Sequence, residues 1–256
     1  MDSDAALLAA AEDKARQAAA KNTVAFTAFL DARQRTLLRN AMKNRAGVSL
    51  SFYGGFPDAE RTVAVFLPGS EEPEEYFRQH PEENPLALLK IHKDGFSALG
   101  HRDYLGAVIA LGVKREAVGD ILSSKDGCEM FVLKTVGRFL EENLRQAGRG
   151  TLAARAADVS EFIGGSQKPP VEKRETVASP RLDGIVGAAF NISRNVAAQA
   201  VNTGRVFVNG VQVLKPDAKT AAGDKIVLRG KGKAVIMEFA GETKKGRTVV
   251  FFQLFI

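Results

Sequence analysis

One cysteine in 256 residues, Cys128, excludes an internal disulfide framework and any zinc site built on several thiolates. That scarcity fits a reducing compartment. Nothing near Cys128 activates it as a nucleophile, since Lys125 alone is a weak partner, so it reads as a buried or inert thiol. Three histidines leave little for a metal centre, and His101 and Asp103, two residues apart on a helix, do not share a face. No run approaches the roughly 18 apolar residues of a membrane span. Asp2 and Asp4 precede the first cations, Lys14 and Arg16, which is the wrong order for a secretory signal. A cytoplasmic protein is expected. No glycine-rich cofactor turn of a doubly wound sheet is visible. Gly230-Lys231-Gly232-Lys233 is not a phosphate loop, because Ala234 follows the lysine where Ser or Thr is required. The expectation is therefore no cofactor, no metal and no membrane partner.

What is present is an ordinary folded composition, 45% apolar and 26% charged, in a chain long enough for one large domain or two to three small ones. The net charge is +6, and its placement is uneven. From Arg181 to Ile256 there are 12 Lys and Arg against 5 Asp and Glu, while residues 1–180 carry the remaining 24 against 25. The basic excess thus lies wholly in the last third, as in a polyanion-binding module attached to a neutral body.

The pattern divides into three folded parts and a linker. Residues 1–80 open with the Ala-rich helix Ala5–Ala20. Phe26, Phe29, Leu30, Leu37 and Leu38 follow at helical spacing. Val48, Leu50 and Phe52, then Val63, Val65 and Leu67, alternate as two strands around the turn residues Gly54, Gly55, Pro57 and Asp58. Residues 81–163 read as strand Leu86–His92, a helix from Arg102, strands Val118–Leu122 and Met130–Leu133, a helix through Val136, Phe139, Leu140 and Leu144, and a strand Thr151–Val159. That βαββαβ order is ferredoxin-like and includes the RNA-recognition type. Such domains stack bases on aromatics of the central strands, and here those strands offer only Phe131. Gly164, Gly165, Ser166, Gln167, Lys168, Pro169 and Pro170, with the polar run Glu172–Glu175, make a linker over 164–178.

Residues 179–256 carry the most information. Ser179 suits an N-cap and Pro180 the first helical position. Leu182, Ile185, Val186, Ala189 and Phe190 form a buried helical stripe. Ser193 caps a second helix with the face Val196, Ala197, Ala200 and Val201, and Gly204 suits its left-handed end. Val206 and Val208 alternate into the hairpin signal Asn209-Gly210, with Val211 and Val213 on the return strand. Ile226–Leu228, Ala234–Phe239 and Thr248–Phe255 are further strands. The overall class is α+β.

Arg181-Leu182-Asp183, Ser193-Arg194, Gly204-Arg205-Val206-Phe207-Val208-Asn209-Gly210 and Gly223-Asp224 together resemble the S-four RNA-binding domain, named after a small-subunit ribosomal protein. Arg229-Gly230-Lys231-Gly232-Lys233, with Gly241-Glu242-Thr243-Lys244-Lys245-Gly246-Arg247-Thr248, resembles the C-terminal end of the YlmH family of bacterial S-four proteins, which has plastid relatives. The likeness continues upstream through Phe52-Tyr53-Gly54-Gly55-Phe56-Pro57, Glu60-Arg61, His101–Ala107, Leu111–Glu116 and Gly119–Leu122.

The resemblance implies non-catalytic binding of structured RNA, ribosomal RNA or a tRNA-containing complex of the ribosome or its large subunit, with ribosomal proteins as further partners. It also implies rescue of stalled translation or ribosome quality control. A monomer is expected. The candidate RNA-binding residues are Arg181, Asp183, Ser193, Arg194, Arg205, Asn209, Arg229, Lys231, Lys233, Lys244, Lys245 and Arg247. The physical chemistry agrees with these choices. Helix starts at Ser179 and Ser193 offer backbone N–H groups to phosphate. Arg194 adds a planar donor fork, and lysines in glycine-rich turns can follow an uneven RNA surface. Asp183 fits an orienter of a neighbouring arginine or a structural acceptor. An RNA-modifying enzyme that uses the S-four domain as a handle is the alternative, because pseudouridine synthases also carry an Arg-Leu-Asp motif with a catalytic aspartate. There the handle usually precedes a large catalytic domain, whereas Asp183 lies inside the handle. A third reading is a protein partner bound by the neutral N-terminal body.

Overall fold

The computed structural model of the chain describes residues 3–42, 48–57, 59–69, 71–94, 98–162 and 170–255. Asp2, the turn residue Asp58 and the expected linker residues 164–169 lie outside that set. The fold is mixed α+β and divides into two compact units, Met1–Gln167 and Lys168–Ile256.

The first unit contains helices α1 (Ser3–Lys21), α2 (Ala32–Ala41), α3 (Pro73–Gln79), α4 (His101–Ala110) and α5 (Lys134–Asn143). Its strands are β1 (Ala25–Leu30), β2 (Ser49–Tyr53), β3 (Thr62–Leu67), β4 (Leu86–Lys93), β5 (Val118–Ser123), β6 (Gly127–Leu133), β7 (Gln146–Ala147) and β8 (Gly150–Ala157). They form two antiparallel sheets, β1-β3-β2 and β5-β6-β4-β8-β7.

Alternation along β4 and β6 sends side chains to two different cores. Ala87, Leu89, Ile91, Met130 and Val132 pack on Tyr104 and Val108 of α4 and Leu140 of α5. Leu88 and Phe131, on the other face, pack on Phe29, Val63 and Val65 of the first sheet. That sheet's far side, Ala64 and Phe66, meets Ala11, Ala15 and Ala18 of α1 and Leu38 of α2. The order is helices, sheet, sheet, helices. The two regions expected to meet near residue 80 therefore share one apolar core. Phe131 is fully buried against Phe56 and Phe162, with ring centroids 5.1 and 5.0 Å away. The sheet face that RNA-recognition domains leave open for bases is occupied by protein.

The first sheet corrects one expectation. Phe26, Phe29 and Leu30 belong to strand β1 and not to a helix with Leu37 and Leu38. A register shift between Phe26 and Phe29 and burial on both faces erase the two-residue period, leaving a spacing that mimics a helix. Asp31 then restarts the chain as α2. Its carboxylate accepts from Gln34 N (2.8 Å), and Gln34 Oε1 accepts from Asp31 N (2.9 Å).

Two motifs that carried the resemblance meet between the sheets. Asp120 accepts from the backbone N–H of Glu60 (2.6 Å) and Arg61 (3.0 Å). Arg61 donates to the carbonyls of Val118 (2.9 Å) and Phe29 (3.2 Å). Burial raises the Asp120 carboxyl above its ordinary value against the pull of those N–H donors. Gly55 sits at φ +90°, and a Cβ there would lie 2.5 Å from the Phe131 ring. Gly55→Ala is expected to destabilise this unit by about 2–4 kcal/mol, combining left-handed strain with overpacking. A thermal melt should fall by several degrees; an unchanged melt would contradict the shared core.

The second unit is one six-stranded antiparallel sheet with two helices. Its elements are β9 (Val171–Val177), α6 (Leu182–Phe190), α7 (Arg194–Asn202), β10 (Val206–Val208), β11 (Val211–Gln212), β12 (Lys225–Leu228), β13 (Gly232–Glu242) and β14 (Thr248–Phe255). The strand order is β11-β10-β12-β13-β14-β9. Both helices pack their apolar sides on Val206, Ile226, Leu228, Ala234, Ile236, Val250, Phe252 and Leu254. Asn209 (φ 50°) and Gly210 (φ 79°) are both left-handed, as the tight β10–β11 turn requires.

Three expectations are corrected here. Residues 171–177, expected within the linker, form β9, paired with β14 from Val171↔Leu254 to Val177↔Thr248. Its charged sequence is that of an edge strand, where polar residues block further pairing. Helix α6 is capped by Arg181, not Ser179, because the Pro180 carbonyl accepts from Thr220 N (2.9 Å) and Oγ1 (3.0 Å) and holds the chain extended. Val196 is 51% exposed, so the buried side of α7 is Ala197, Ala200 and Val201.

Candidate nucleic-acid interface

The candidate residues of the second unit fall into separate groups. The first is built on the turn between its helices. Asn191 adopts a left-handed conformation (φ 53°) and ends α6, and Ser193 Oγ accepts from Val196 N (3.3 Å) to start α7. Ser193 is thus a structural cap. This turn sets Arg194 against Gly187, where a Cβ would lie 3.8 Å from the Arg194 Cα and 3.0 Å from the Ile192 carbonyl oxygen. With no side chain at Gly187 or Gly184, the arginine stem can run along α6 towards Asp183.

Asp183 is 3% exposed and receives three donors. Arg181 reaches it at 3.0 and 3.3 Å, Arg194 at 3.2 and 3.3 Å, and the Gly184 N–H at 2.7 Å. Burial on its own would raise the Asp183 carboxyl. The hydrogen bonds from Arg181, Arg194 and Gly184 outweigh it and hold the group below the ordinary carboxylate value. Its own hydrogen bond to Asp183 raises Arg181 further above its already high value. The two guanidinium side chains remain 40% and 54% exposed. One buried anion therefore orients two cations whose remaining N–H donors face solvent.

A groove of about 310 Å³ adjoins Arg194, lined by β9 residues 175–177, by Gly184, Gly187 and Ala188, and by Arg194 and Arg247. Arg247 is fixed across it by hydrogen bonds to Thr176 Oγ1 (3.1 Å) and O (2.7 Å). Sequence alone offers no reason to join Arg247 to Arg194, because Glu172–Glu175 has the composition of a linker.

The expected free N–H groups at the start of α6 are engaged. Leu182 N donates to the Ala218 carbonyl (2.9 Å), Asp183 N to that of Pro216 (2.8 Å) and Gly184 N to Asp183. The anion-binding character of this corner comes from arginine side chains.

The other candidates lie apart. Arg205 donates to the Arg229 carbonyl (2.9 Å), and the Arg229 guanidinium lies 4.5 Å from the centre of the Phe207 ring. Lys231 is exposed in the β12–β13 turn, and Lys233 Nζ lies 4.3 Å above Phe255. Lys244 and Lys245 are exposed in the β13–β14 turn, which is closed by Thr243 N donating to the Arg247 carbonyl (2.8 Å). Asn209 builds the fold: its side chain donates to Asp224 (2.8 Å) and accepts from Lys225 N (3.0 Å).

In the first unit, Asp103 accepts from Gly100 N (2.8 Å) as a helix-start partner. Cys128 is 4% exposed, and burial, with Glu129 nearby, pushes its thiol up and away from the reactive range. Among the described residues no helix is long and apolar enough to cross a membrane.

Residues 80–161 match the family model described as "Putative RNA-binding domain in YlmH". The chain is 32% identical over 233 residues to "Ribosome-associated protein quality control protein P2" of Bacillus subtilis (strain 168), covering 89% of this chain and 86% of that one. A solved structure titled "Cell division protein ylmH from Streptococcus pneumoniae" is similar at 21% identity and a TM-score of 0.48, covering 64% of this chain and 96% of that chain.

Proposed function

From the YlmH-like family, to which this chain belongs, we propose a non-catalytic RNA-binding protein that grips structured RNA of the ribosome or its large subunit. The observation that carries this reading is the buried Asp183 holding Arg181 and Arg194, both about half exposed, with Arg194 lining the same groove as Arg247. Preorganised guanidinium forks suit phosphate oxygens, and structured RNA is recognised largely by phosphate geometry and shape. In this reading the second unit is an S-four-type domain, two helices on a small sheet, and the β5-β6-β4-β8 sheet with α4 and α5 is ferredoxin-like. Because the other face of that sheet is covered, the first unit contacts its partners, RNA or ribosomal protein, through other surfaces. The relative's name places that protein at the ribosome in quality control, which supports a similar cytoplasmic role here.

The pseudouridine-synthase reading requires Asp183 to reach a substrate. Its side chain is 5% exposed and both oxygens accept from arginines, which favours an orienting role.

If Arg194 contacts a phosphate, Arg194→Ala is expected to weaken binding to many structured RNAs alike and to make the log–log salt slope shallower by about 0.7–0.9. Arg194→Lys should recover only part of the affinity, since it keeps the charge and loses the fork. Titration against large-subunit ribosomal RNA at several salt concentrations tests this. Unchanged affinity and slope for Arg194→Ala would place the interface elsewhere.

A further inference from the structure

The sheet of the second unit has a face that its helices do not use. Register defines it: Phe207 pairs with Val227, Val227 with Lys233, and Lys233 with Phe255, so these four lie in one row across β10, β12, β13 and β14. Their neighbours along the strands, Val206, Leu228, Ala234 and Leu254, point the other way into the helix-covered core. A second row on the open side runs Lys225, Val235, Gln253 and Glu172, and a third runs Glu238, Phe251 and Arg174. Phe207, Phe251 and Phe255 are half-buried by their strand neighbours and remain partly accessible.

Each of these rings carries a cation. Arg229 lies 4.5 Å from the centre of Phe207, Lys233 4.3 Å from Phe255 and Arg174 6.0 Å from Phe251. With Lys225 that makes four cations on this face against the carboxylates of Glu172 and Glu238. Aromatic rings interleaved with positive charge on an open sheet are the composition that binds unpaired nucleotides: the rings stack bases and the cations meet phosphates. A protein partner would be served by the apolar rings and valines without a cation over every ring.

We propose that this open face is a second RNA-binding surface, specific for unpaired bases and distinct from the arginine corner that faces structured RNA. Phe207 and Phe255 lie three strand spacings apart, about 14 Å, with Val227 and the Lys233 stem between them. A base entering the row replaces the cation above a ring. The displaced side chain, on its flexible stem, meets that nucleotide's phosphate, so charge stays paired. The aromatic platform missing from the first unit is thus supplied by the second.

The test compares two RNAs on the full-length chain by fluorescence anisotropy: a short labelled oligouridylate and a fully paired duplex of the same length. Phe207→Leu and Phe255→Leu keep an apolar side chain and remove the ring, and thermal melts confirm that the variants fold. Each is expected to weaken oligouridylate binding about tenfold while leaving duplex affinity unchanged. Arg229→Gln, at an exposed position, removes the cation over Phe207 and should weaken the oligouridylate about threefold, with a thermal melt confirming that the variant folds. Arg194→Ala should show the opposite preference, acting mainly on the duplex. Folded leucine variants with unchanged oligouridylate affinity overturn the proposal and leave this face to a protein partner. Equal losses on both RNAs overturn the specificity for unpaired bases. A wild-type chain that binds the duplex and ignores the oligouridylate defeats only this inference, whereas failure to bind either RNA defeats the functional reading as well.

Discussion

A chain begun at residue 179 is expected to aggregate or remain unfolded, whereas one begun at residue 168 folds. The difference is β9. Its pairing with β14 runs from Val171↔Leu254 to Val177↔Thr248, and Val177, 3% exposed, is part of the core. Lys173 Nζ also donates to the Ala188 carbonyl at the end of α6 (2.6 Å), and Thr176 anchors Arg247. Without β9, the sequence Thr-Val-Val-Phe-Phe-Gln-Leu-Phe of β14 becomes a bare apolar sheet edge, the kind of segment that pairs with other chains. Circular dichroism should show a cooperative melt for residues 168–256 and none for 179–256, with the shorter piece in the void volume on size exclusion. A shorter piece that melts cooperatively at the same temperature would show that β9 adds nothing to this core.

Asp183→Asn is expected to have the largest effect of any single change in the second unit. Removing one partner of a buried ion pair typically costs 3–5 kcal/mol; with both arginines about half exposed, about 2–3 kcal/mol is expected here. RNA affinity should fall about tenfold, because two guanidinium groups lose the anion that aims them and are left repelling each other. No RNA modification should disappear with the substitution. A pseudouridine lost in a deletion strain and not restored by Asp183→Asn would establish the enzyme reading instead.

The pH dependence gives an independent readout. The folded-state carboxyl of Asp183 lies below its ordinary value. Its stabilisation is therefore complete above about pH 4, the ordinary aspartate value, and is lost as the pH falls towards the folded-state value. The melting temperatures of the wild type and Asp183→Asn should differ most near neutrality and converge below about pH 4. A gap that persists undiminished into acid would mean that the carboxylate's charge contributes nothing.

What was legible in the sequence follows from local physics. The α6 stripe Leu182, Ile185, Val186, Ala189 and Phe190 is buried because it repeats with the helical period against one covered face. Asn209-Gly210 forms a tight hairpin because both positions need a left-handed backbone. The strands β4, β5 and β6 were legible as short apolar runs between turns. Strand β1 was not, because a bulge and cover on both faces removed the alternation. Strand β9 was not, because Glu172-Lys173-Arg174-Glu175 has the composition of a linker, and only the unpaired side of β14 makes it a strand. The candidate site was legible as a set of basic residues, with Asp183 weighed as an orienter of a neighbouring arginine. Its division was not legible: Arg194 and Arg247 share a groove, Arg229 sits over Phe207 with Arg205 on its carbonyl, and Asn209 and Ser193 are used up by the fold.

The sequence by itself determined composition, the concentration of positive charge after Arg181, the helical stripes and the tight turns. All of these depend on residues close together in the chain. The tertiary structure alone decided that Phe131 is buried under a second sheet, that one carboxylate holds two arginines thirteen residues apart, and that Phe207, Lys233 and Phe255 share one open face. The reason is physical: burial, ion pairing and cross-strand registry are set by which distant segments meet, and a linear sequence records periodicity within a segment but not its neighbours.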